Sequence, residues 1–486
     1  MTYRHPLGLI VTAILLLVAG CARQAGNASP AVAAVPAPPA TPEAEVAAAP
    51  PTTAPAAFPV VDPADWPAAD PETLAVDANI RSGPISPLLF GSNTGPWSAV
   101  PFDLLDEAKA ARITLLRFPG GEFADRNVVL PSHIDSFIKL CRQLGAEPSI
   151  HVRLREGTPE AAAEMVRYAN IEKGYGVRYW AVGNEPNLYP PDDVYTPKRI
   201  AADWRALAEA MRAVDPDIIL MGPEVTGYMP ARPGDTFGAE ARAVMKTFLE
   251  VNGDLVDVVT IHHYPFPISS AAPPPAIDEL AASALLWDPM LVDLKSMIRE
   301  TTGRDIPIGM TEFNANWSKQ SGGEATPDSI PGALWLADVL GRLIRNQATI
   351  GTQFALQSGP VIGPFGLLDR AAVRPQYYVY PLYARFGPEL VYAAVGGPAG
   401  PHPTVTAYAA RNDAGALTLL VINRGQTAAE FTLSLAGHAG GAAQLYRLDA
   451  ERVAAGSAAA PAGTAELADG MTLAAPPLTA TLYVLP

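Results

Sequence analysis

Cysteine is almost missing from this chain: Cys21 and Cys141 are the two in 486 residues, too few for a disulfide framework. Once Cys21 is modified, as argued below, no intramolecular pair is left. Basic residues are also scarce, 34 against 49 acidic ones, and they form no cluster. With a net charge of -15 and a pI near 4.9 the surface repels phosphate backbones and anionic bilayers, so no nucleic-acid partner is expected. The absence of a Gly-x-Ser-x-Gly elbow disfavours a serine esterase. His262-His263 lacks a nearby spaced set of His, Asp or Glu, which disfavours a metal-assisted hydrolase, and neither metal nor cofactor is expected. Gly91-Ser92-Asn93-Thr94-Gly95 is a poor match to a dinucleotide-binding turn. Only 17% of residues are charged while 49% are hydrophobic, enough for a large core and more than one domain.

The N-terminus reads as an export signal over residues 1–20. Arg4 and His5 precede an apolar run from Leu7 to Val18, too short to span a bilayer as a helix. The run closes with Leu17-Val18-Ala19-Gly20-Cys21, which resembles the lipobox of bacterial lipoproteins and implies a lipid on Cys21. An exported protein anchored by lipid in the bacterial cell envelope or at the cell surface is therefore expected. Residues 21–71 are mostly Ala, Pro, Thr and Val with no helical or strand period, a composition that cannot bury a core. At about 3.1 Å per residue in polyproline form, such a stalk reaches on the order of 120 Å.

From Glu72 onward the chain acquires periods. Leu74, Val76, Ala78 and Ile80 alternate with Ala75, Asp77 and Asn79, as in a half-buried strand. Residues 83–387 then repeat a short apolar strand, a polar loop and a helical pattern. The strands are predicted at Leu88 to Asn93, Ile113 to Gly120, Glu147 to Arg153, Tyr179 to Pro186, Ile218 to Val225, Val258 to Pro265, Pro307 to Asn314, and Thr349 to Gln357. Thr158-Pro159 and Thr196-Pro197 place a capping hydroxyl before a proline at a first helical position, and Gly145 sits where a helix stops. Cys141 falls on the apolar face of Ile134, Phe137 and Ile138, as a small core residue. Eight strands alternating with helices imply an α/β fold, a closed (β/α)8 TIM barrel. Short alternating strands follow at Val405 to Ala410, Ala416 to Asn423, Ala429 to Leu435, Ala443 to Leu448 and Thr479 to Leu485, separated by turns such as Asn412-Asp413-Ala414-Gly415. They predict a C-terminal β-sandwich over residues 388–486 that takes residues 72–82 as an early strand.

In such a barrel the C-terminal strand ends converge on one mouth. The fourth strand ends in Gly183-Asn184-Glu185-Pro186 and the seventh in Thr311-Glu312-Phe313-Asn314, so two glutamates face one opening. A single strand-end Glu is ordinarily a solvated or ion-paired residue; two of them are what cleavage of a glycosidic bond by paired carboxylates requires. Arg117 is placed to keep Glu312 ionised by charge and hydrogen bonding, its plainer reading being a salt bridge that fastens a loop. Gly120 and Gly121 let backbone approach a ligand. His262 and Tyr264, two apart, point to one face: Tyr264 toward Glu312, and His262 toward the sugar or the acid. Asn184 is placed to donate to the sugar hydroxyl beside the reacting carbon. Trp97, Trp180, Trp317 and Phe354 lie near predicted rims, where rings stack on sugars or simply pack. Glu122 and Glu224 also end strands; Glu224 is treated as a decoy and Glu122 as a candidate substrate ligand.

With these motifs in place the chain resembles clan A of the glycoside hydrolases, and within it the arabinofuranosidase-like family 51 and its relatives in family 39. The resemblance rests on Leu88-Leu89-Phe90-Gly91-Ser92-Asn93, Arg117-Phe118-Pro119-Gly120-Gly121, Gly183-Asn184-Glu185-Pro186, His262-His263-Tyr264 and Thr311-Glu312-Phe313. It implies a retaining mechanism with Glu185 as acid/base and Glu312 as nucleophile, and a β-sandwich whose first strand precedes the barrel. Glu122 stands where many family 51 members have Asn. The expected function is a retaining glycosidase acting outside the cell on polysaccharide or oligosaccharide. The competing expectation is a surface lipoprotein that binds glycan without cutting it, because fold alone does not imply turnover.

Overall fold

Proline and glycine punctuate the boundaries of the barrel. Ser86 caps a short 3-10 turn at Pro87–Leu89, so the first barrel strand, predicted from Leu88, begins only at Gly91. The computed structural model describes residues 60–97, 99–190, 195–266, 273–316, 321–358, 363 and 365–486. The signal segment, Cys21, most of the expected stalk and Trp317 lie outside the described residues.

Strand β1 (Thr73–Pro84) precedes eight parallel strands: β2 (Gly91–Asn93), β3 (Leu115–Phe118), β4 (Glu147–Val152), β5 (Tyr179–Val182), β6 (Ile219–Thr226), β7 (Val258–His263), β8 (Ile308–Phe313) and β9 (Ile350–Gln353). These eight close into a ring in chain order, with β9 pairing back to β2. Six of them end one to four residues before the expected C-terminal end, where the chain leaves the ladder to build loops; β2 ends at Asn93 as expected, and β6 runs one residue further, to Thr226. The helices between them begin where the hydroxyl-proline pairs stand: Thr158 accepts from the Ala161 amide at 3.2 Å and Thr196 from the Arg199 amide at 3.3 Å. Gly145 closes the helix Pro131–Leu144 with φ 70°, a left-handed cap that glycine adopts without strain.

The second layer is one curled sheet. Its strands are β10 (Glu389–Gly397), β11 (Gly400–Pro401), β12 (Val405–Arg411), β13 (Leu417–Asn423), β14 (Ala429–Ala436), β15 (Gly441–Leu448), β16 (Pro461–Leu467), β17 (Thr472–Ala475) and β18 (Thr479–Leu485). The hydrogen-bonded order runs β16-β15-β18-β13-β12-β10-β1-β14-β17, mainly antiparallel, with β1 parallel to β14. It folds as a β-sandwich over its own core of Leu74, Val76, Val391, Val421, Leu433 and Tyr483. Strand β10 escapes sequence reading because it is buried along nearly its whole length and shows no alternation; β16 escapes because Ala, Gly and Thr dominate an exposed edge.

The helix Ile330–Arg345, buried from Gly332 to Ile344, is wedged between barrel and sheet. Gly341 is required there, since a Cβ would come within 2.2 Å of the Tyr408 ring. The chain joins the folded body earlier than residue 71, the expected end of the stalk. Val60 bridges to Arg81, and Trp66 packs edge-on against Tyr392 with ring centroids 5.4 Å apart.

Candidate active site

Six of the eight barrel strands, β2, β3 and β5 to β8, bring polar groups at or just past their C-terminal ends into one largely buried cluster. On β3, Arg117 is fully buried and forks four ways. Its Nη1 donates to Asn93 Oδ1 at 2.8 Å and Glu312 Oε2 at 3.1 Å, and its Nη2 to Asn184 Oδ1 at 2.8 Å and Glu224 Oε2 at 2.9 Å. After β5, Gly183 (φ 80°) turns the chain and Glu185 itself is left-handed at φ 48°. Such a conformation is uncommon for a residue with a side chain and aims this one out of the strand direction. Pro186 then starts a 3-10 turn and ends the ladder.

On β7, His262 sits with Nδ1 3.1 Å from Glu185 Oε1 and Nε2 2.8 Å from Glu224 Oε2. The pairing of β7 with β8 slips by one residue between Ile261 and His262, which brings His262 level with Glu312. Tyr264 then donates to Glu312 Oε1 at 2.9 Å, and the Gly121 amide donates to Glu312 Oε2 at 3.1 Å. One ligand atom each from Glu185, His262 and Glu312 lie within 4.8 Å of one another.

Six of the expected residues therefore meet: Glu185, Glu312, Arg117, Asn184, His262 and Tyr264. Glu122 does not join them. Its side chain is 60% exposed and pairs with Arg126 at 2.7 Å within its own helical turn, as successive charges on an exposed helix face do. Trp180 is not at the rim: it is fully buried and its indole N–H donates to the Val177 carbonyl at 2.8 Å. Trp97 and Phe354 do stand by the site, ring centroids 6.2 Å apart, and a Cβ on Gly121 would touch Phe354 at 3.6 Å. Gly121 serves Glu312 directly with its amide, a use of the glycine pair that spacing did not reveal.

Three functional neighbours escaped sequence reading. Glu224, treated as a decoy, lies at the centre of the cluster, fully buried and left-handed at φ 60°. Asn93 orients Arg117 while its amide nitrogen donates to the carbonyls of Thr311 (3.1 Å) and Thr352 (2.9 Å). Asp125 accepts from the backbone amides of Leu154 (2.9 Å) and Asn184 (2.9 Å) and from the Tyr189 hydroxyl, tying three loops together.

The electrostatics follow from this packing. Burial pushes the Glu312 carboxyl up from the ordinary glutamate range and the Glu185 charge adds to that; His262, Arg117 and Tyr264 pull it back. Arg117 thus favours the ionised form, the direction expected of it, while burial sets the larger, opposite effect. The hydrogen bonds nevertheless suit a carboxylate, because Arg117, Gly121 and Tyr264 all present donors to it. For Glu224 burial is outweighed by Arg117 and His262, which hold the carboxyl well below the usual range. Burial alone would lower His262, but its bonds to Glu185 and Glu224 and the charge of Glu312 raise it to about 9, making it a cation at neutral pH. A cationic imidazole has no lone pair for a metal, and both its nitrogens are committed to carboxylates, so the Glu185, His262 and Glu312 group does not fit a metal site.

A closed parallel barrel with two carboxylates at its mouth and a sandwich behind it has the architecture of clan A of the glycoside hydrolases, and the chain resembles family 51 within it. No family model matches the sequence. A probable alpha-L-arabinofuranosidase C of Aspergillus fumigatus is 26% identical over 331 residues, 58% of this chain and 64% of that protein. The match thus spans less than two thirds of that relative's length. The exo-alpha-(1->6)-L-arabinofuranosidase of Bifidobacterium longum is 23% identical over 409 residues, 68% of this chain and 76% of that one. Among solved structures, the family 51 alpha-L-arabinofuranosidase of Thermotoga petrophila superposes with a TM-score of 0.68 at 18% identity, covering 85% of this chain and 100% of that one. A family 44 xyloglucanase of Paenibacillus polymyxa gives 0.63 at 17% identity, covering 86% and 99%.

Proposed function

We propose that the protein is a retaining, arabinofuranosidase-like glycoside hydrolase. The observation that carries this reading is the approach of a Glu185 oxygen to within 4.8 Å of a Glu312 oxygen. Retaining sites hold their carboxyl groups roughly 5 to 5.5 Å apart, whereas inverting ones need about 6.5 to 9.5 Å to admit a water. The alpha-L-arabinofuranosidases among the relatives support the choice of sugar.

In this scheme Glu312 attacks the anomeric carbon as a carboxylate while Glu185 gives its proton to the departing glycosidic oxygen. The C–O bond to the aglycone breaks and a glycosyl ester to Glu312 forms. Glu185 then takes a proton from water, whose oxygen attacks the same carbon and releases Glu312. Asn184 has its Oδ1 turned to Arg117, leaving Nδ2 to donate to the neighbouring sugar hydroxyl. Tyr264, Arg117 and the Gly121 amide hold the nucleophile in line.

The test is nitrophenol release from a panel of aryl furanosides and pyranosides, starting with the alpha-L-arabinofuranoside, with product anomer followed by NMR. Wild type should turn over at least one with retention, and Glu185→Ala and Glu312→Ala should lose it. Equal near-zero rates for all three across the panel would favour the glycan binder instead. The same reading places the enzyme outside the cytoplasm on a lipid at Cys21, supported by the Leu17-Val18-Ala19-Gly20-Cys21 sequence. Incorporation of radiolabelled palmitate by wild type and not by Cys21→Ser is the check.

A further inference from the structure

We propose that Glu224 is a positioning residue that couples the two carboxylates of the site, an inference that rests on the glycosidase reading above. One oxygen of this buried side chain accepts three hydrogen bonds, from Arg117 Nη2 at 2.9 Å, His262 Nε2 at 2.8 Å and Thr311 Oγ1 at 2.9 Å. Arg117 continues through its other nitrogen to Glu312, and His262 through its other nitrogen to Glu185. Glu224 therefore stands one side chain behind each carboxylate. The backbone makes a third link, since the Glu185 amide donates to the Glu224 carbonyl at 2.9 Å. A break in the β6 to β7 register between Pro223 and Val225 turns the side chain inward, and its own amide is held by Thr260 Oγ1 at 3.2 Å.

The arrangement gives Glu224 work that a simple ion pair with Arg117 would not do. His262 is faced by Glu185 from the loop after β5, Glu224 from β6, Glu312 from β8, Arg117 from β3 and His151 from β4. With Glu185 carrying the proton its acid role requires, two cations, Arg117 and His262, face two carboxylates, Glu224 and Glu312. The cationic His262 can then donate to the Glu185 carboxylate that forms as the leaving group takes the proton. Removing the Glu224 charge removes one of the carboxylates that favour the His262 cation, the one hydrogen-bonded to its Nε2, and the hydrogen bond to Glu185 strengthens less at the moment it is needed.

Glu224→Gln separates charge from shape. The amide oxygen can keep the three donors, and the amide nitrogen falls where Oε1 has no hydrogen-bond partner. We expect the His262 ring nitrogens, followed by nitrogen-15 NMR, to titrate at least one unit lower in this variant than in wild type, where Glu185, Glu224 and Glu312 raise the imidazole above its ordinary value. We also expect kcat to fall tenfold or more with KM within about threefold, and Glu224→Asp to restore the titration in part because it keeps the charge. A Glu224 that only braces the barrel would lower stability while leaving the titration and the kcat to KM split unmoved, and that result would overturn the proposal. Should the Gln variant fail to fold, Glu224→Asp is read in its place: the side chain is one methylene too short to keep Arg117, His262 and Thr311 together, so a His262 midpoint below that of wild type and a lower kcat are expected, and wild-type values for both would overturn the proposal. If wild type cleaves nothing on the panel, the glycosidase reading falls, and with it the role of Glu224 in turnover. If wild type is active and Glu224→Gln changes neither readout, the inference falls alone.

Discussion

The Tyr264 hydroxyl donates to Oε1 of Glu312 at 2.9 Å, while Arg117 and the Gly121 amide occupy Oε2. Each oxygen of the proposed nucleophile is thus held, and among the described residues the one Tyr264 holds has no other donor. Burial raises the Tyr264 phenol well above its ordinary range, so it stays protonated and donating wherever the enzyme works. A hydrogen bond to a charged group is worth about 1.5 to 3 kcal/mol, so Tyr264→Phe should lower kcat by roughly 10- to 100-fold.

The same variant should change the pH profile. Attack needs the Glu312 carboxylate, and burial has already raised that group, so the acid limb of kcat should lie above an ordinary glutamate's. Tyr264 is among the groups pulling it down; without the hydroxyl the carboxyl rises further. The acid limb of Tyr264→Phe should therefore move to higher pH. A limb that stays put or moves to lower pH would contradict this account of Glu312.

Glu122 supplies the opposite expectation. Its exposed side chain pairs with Arg126 and reaches none of the clustered groups. Surface pairs of this kind contribute little, so Glu122→Gln should leave kcat/KM on the preferred aryl glycoside within about twofold. A large loss of turnover would return Glu122 to the site.

The contrast between Glu122, Glu185, Glu224 and Glu312 shows what the sequence could carry. All four follow short apolar runs, and the barrel was legible because those runs recur with helices between them. The pair Glu185 and Glu312 was legible because ring position depends only on strand order. The role of Glu224 was not, since its three partners come from β3, β7 and β8, and only closure of the ring sets them around it. For Trp180 the choice between stacking at the rim and packing stayed open for a related reason, and packing holds: alternation along a strand buried on both sides does not say which side faces the mouth. Asn93 and Asp125 act through partners from other strands and loops, Arg117 and two carbonyls for the one, Tyr189 and backbone amides for the other, which no residue spacing reports.

Cys141 offers a test of the barrel's outer layer. It lies on the inner face of the helix Pro131–Leu144 with Ile134, Phe137 and Ile138, and burial pushes its thiol far up, with the Glu147 charge adding to the effect. In a Cys21→Ser background the native protein should therefore resist thiol reagents at pH 8 and label at the rate of unfolding. Fast stoichiometric labelling without denaturant would place this helix wrongly.

The join between barrel and sheet hangs on Asp338, and its removal should be costly. This fully buried carboxylate on the wedged helix accepts from Thr406 Oγ1 and the Tyr408 hydroxyl, both at 2.6 Å, and pairs with Arg342 at 3.0 Å and Arg424 at 3.2 Å. Thr406 and Tyr408 belong to β12, and Arg424 directly follows β13, so one side chain fastens the helix to two strands of the sandwich. Truncating one partner of a buried pair leaves the other charge stranded, here the Arg424 guanidinium, while Arg342 keeps Asp288; the cost of such a loss is about 3 to 5 kcal/mol. Asp338→Ala should lose that much in denaturant unfolding, whereas Thr406→Val, which removes one neutral donor, should lose about 1 kcal/mol. The pH dependence has a definite sign. Burial would raise the Asp338 carboxyl, but Arg342 and Arg424 hold it well below its unfolded value. Its contribution is therefore complete above the unfolded pKa of about 3.9 and drains away as the pH drops from there toward the folded one. Wild type should lose stability across that acidic window more steeply than Asp338→Ala does, and parallel curves for the two would show that Asp338 is not the group responsible.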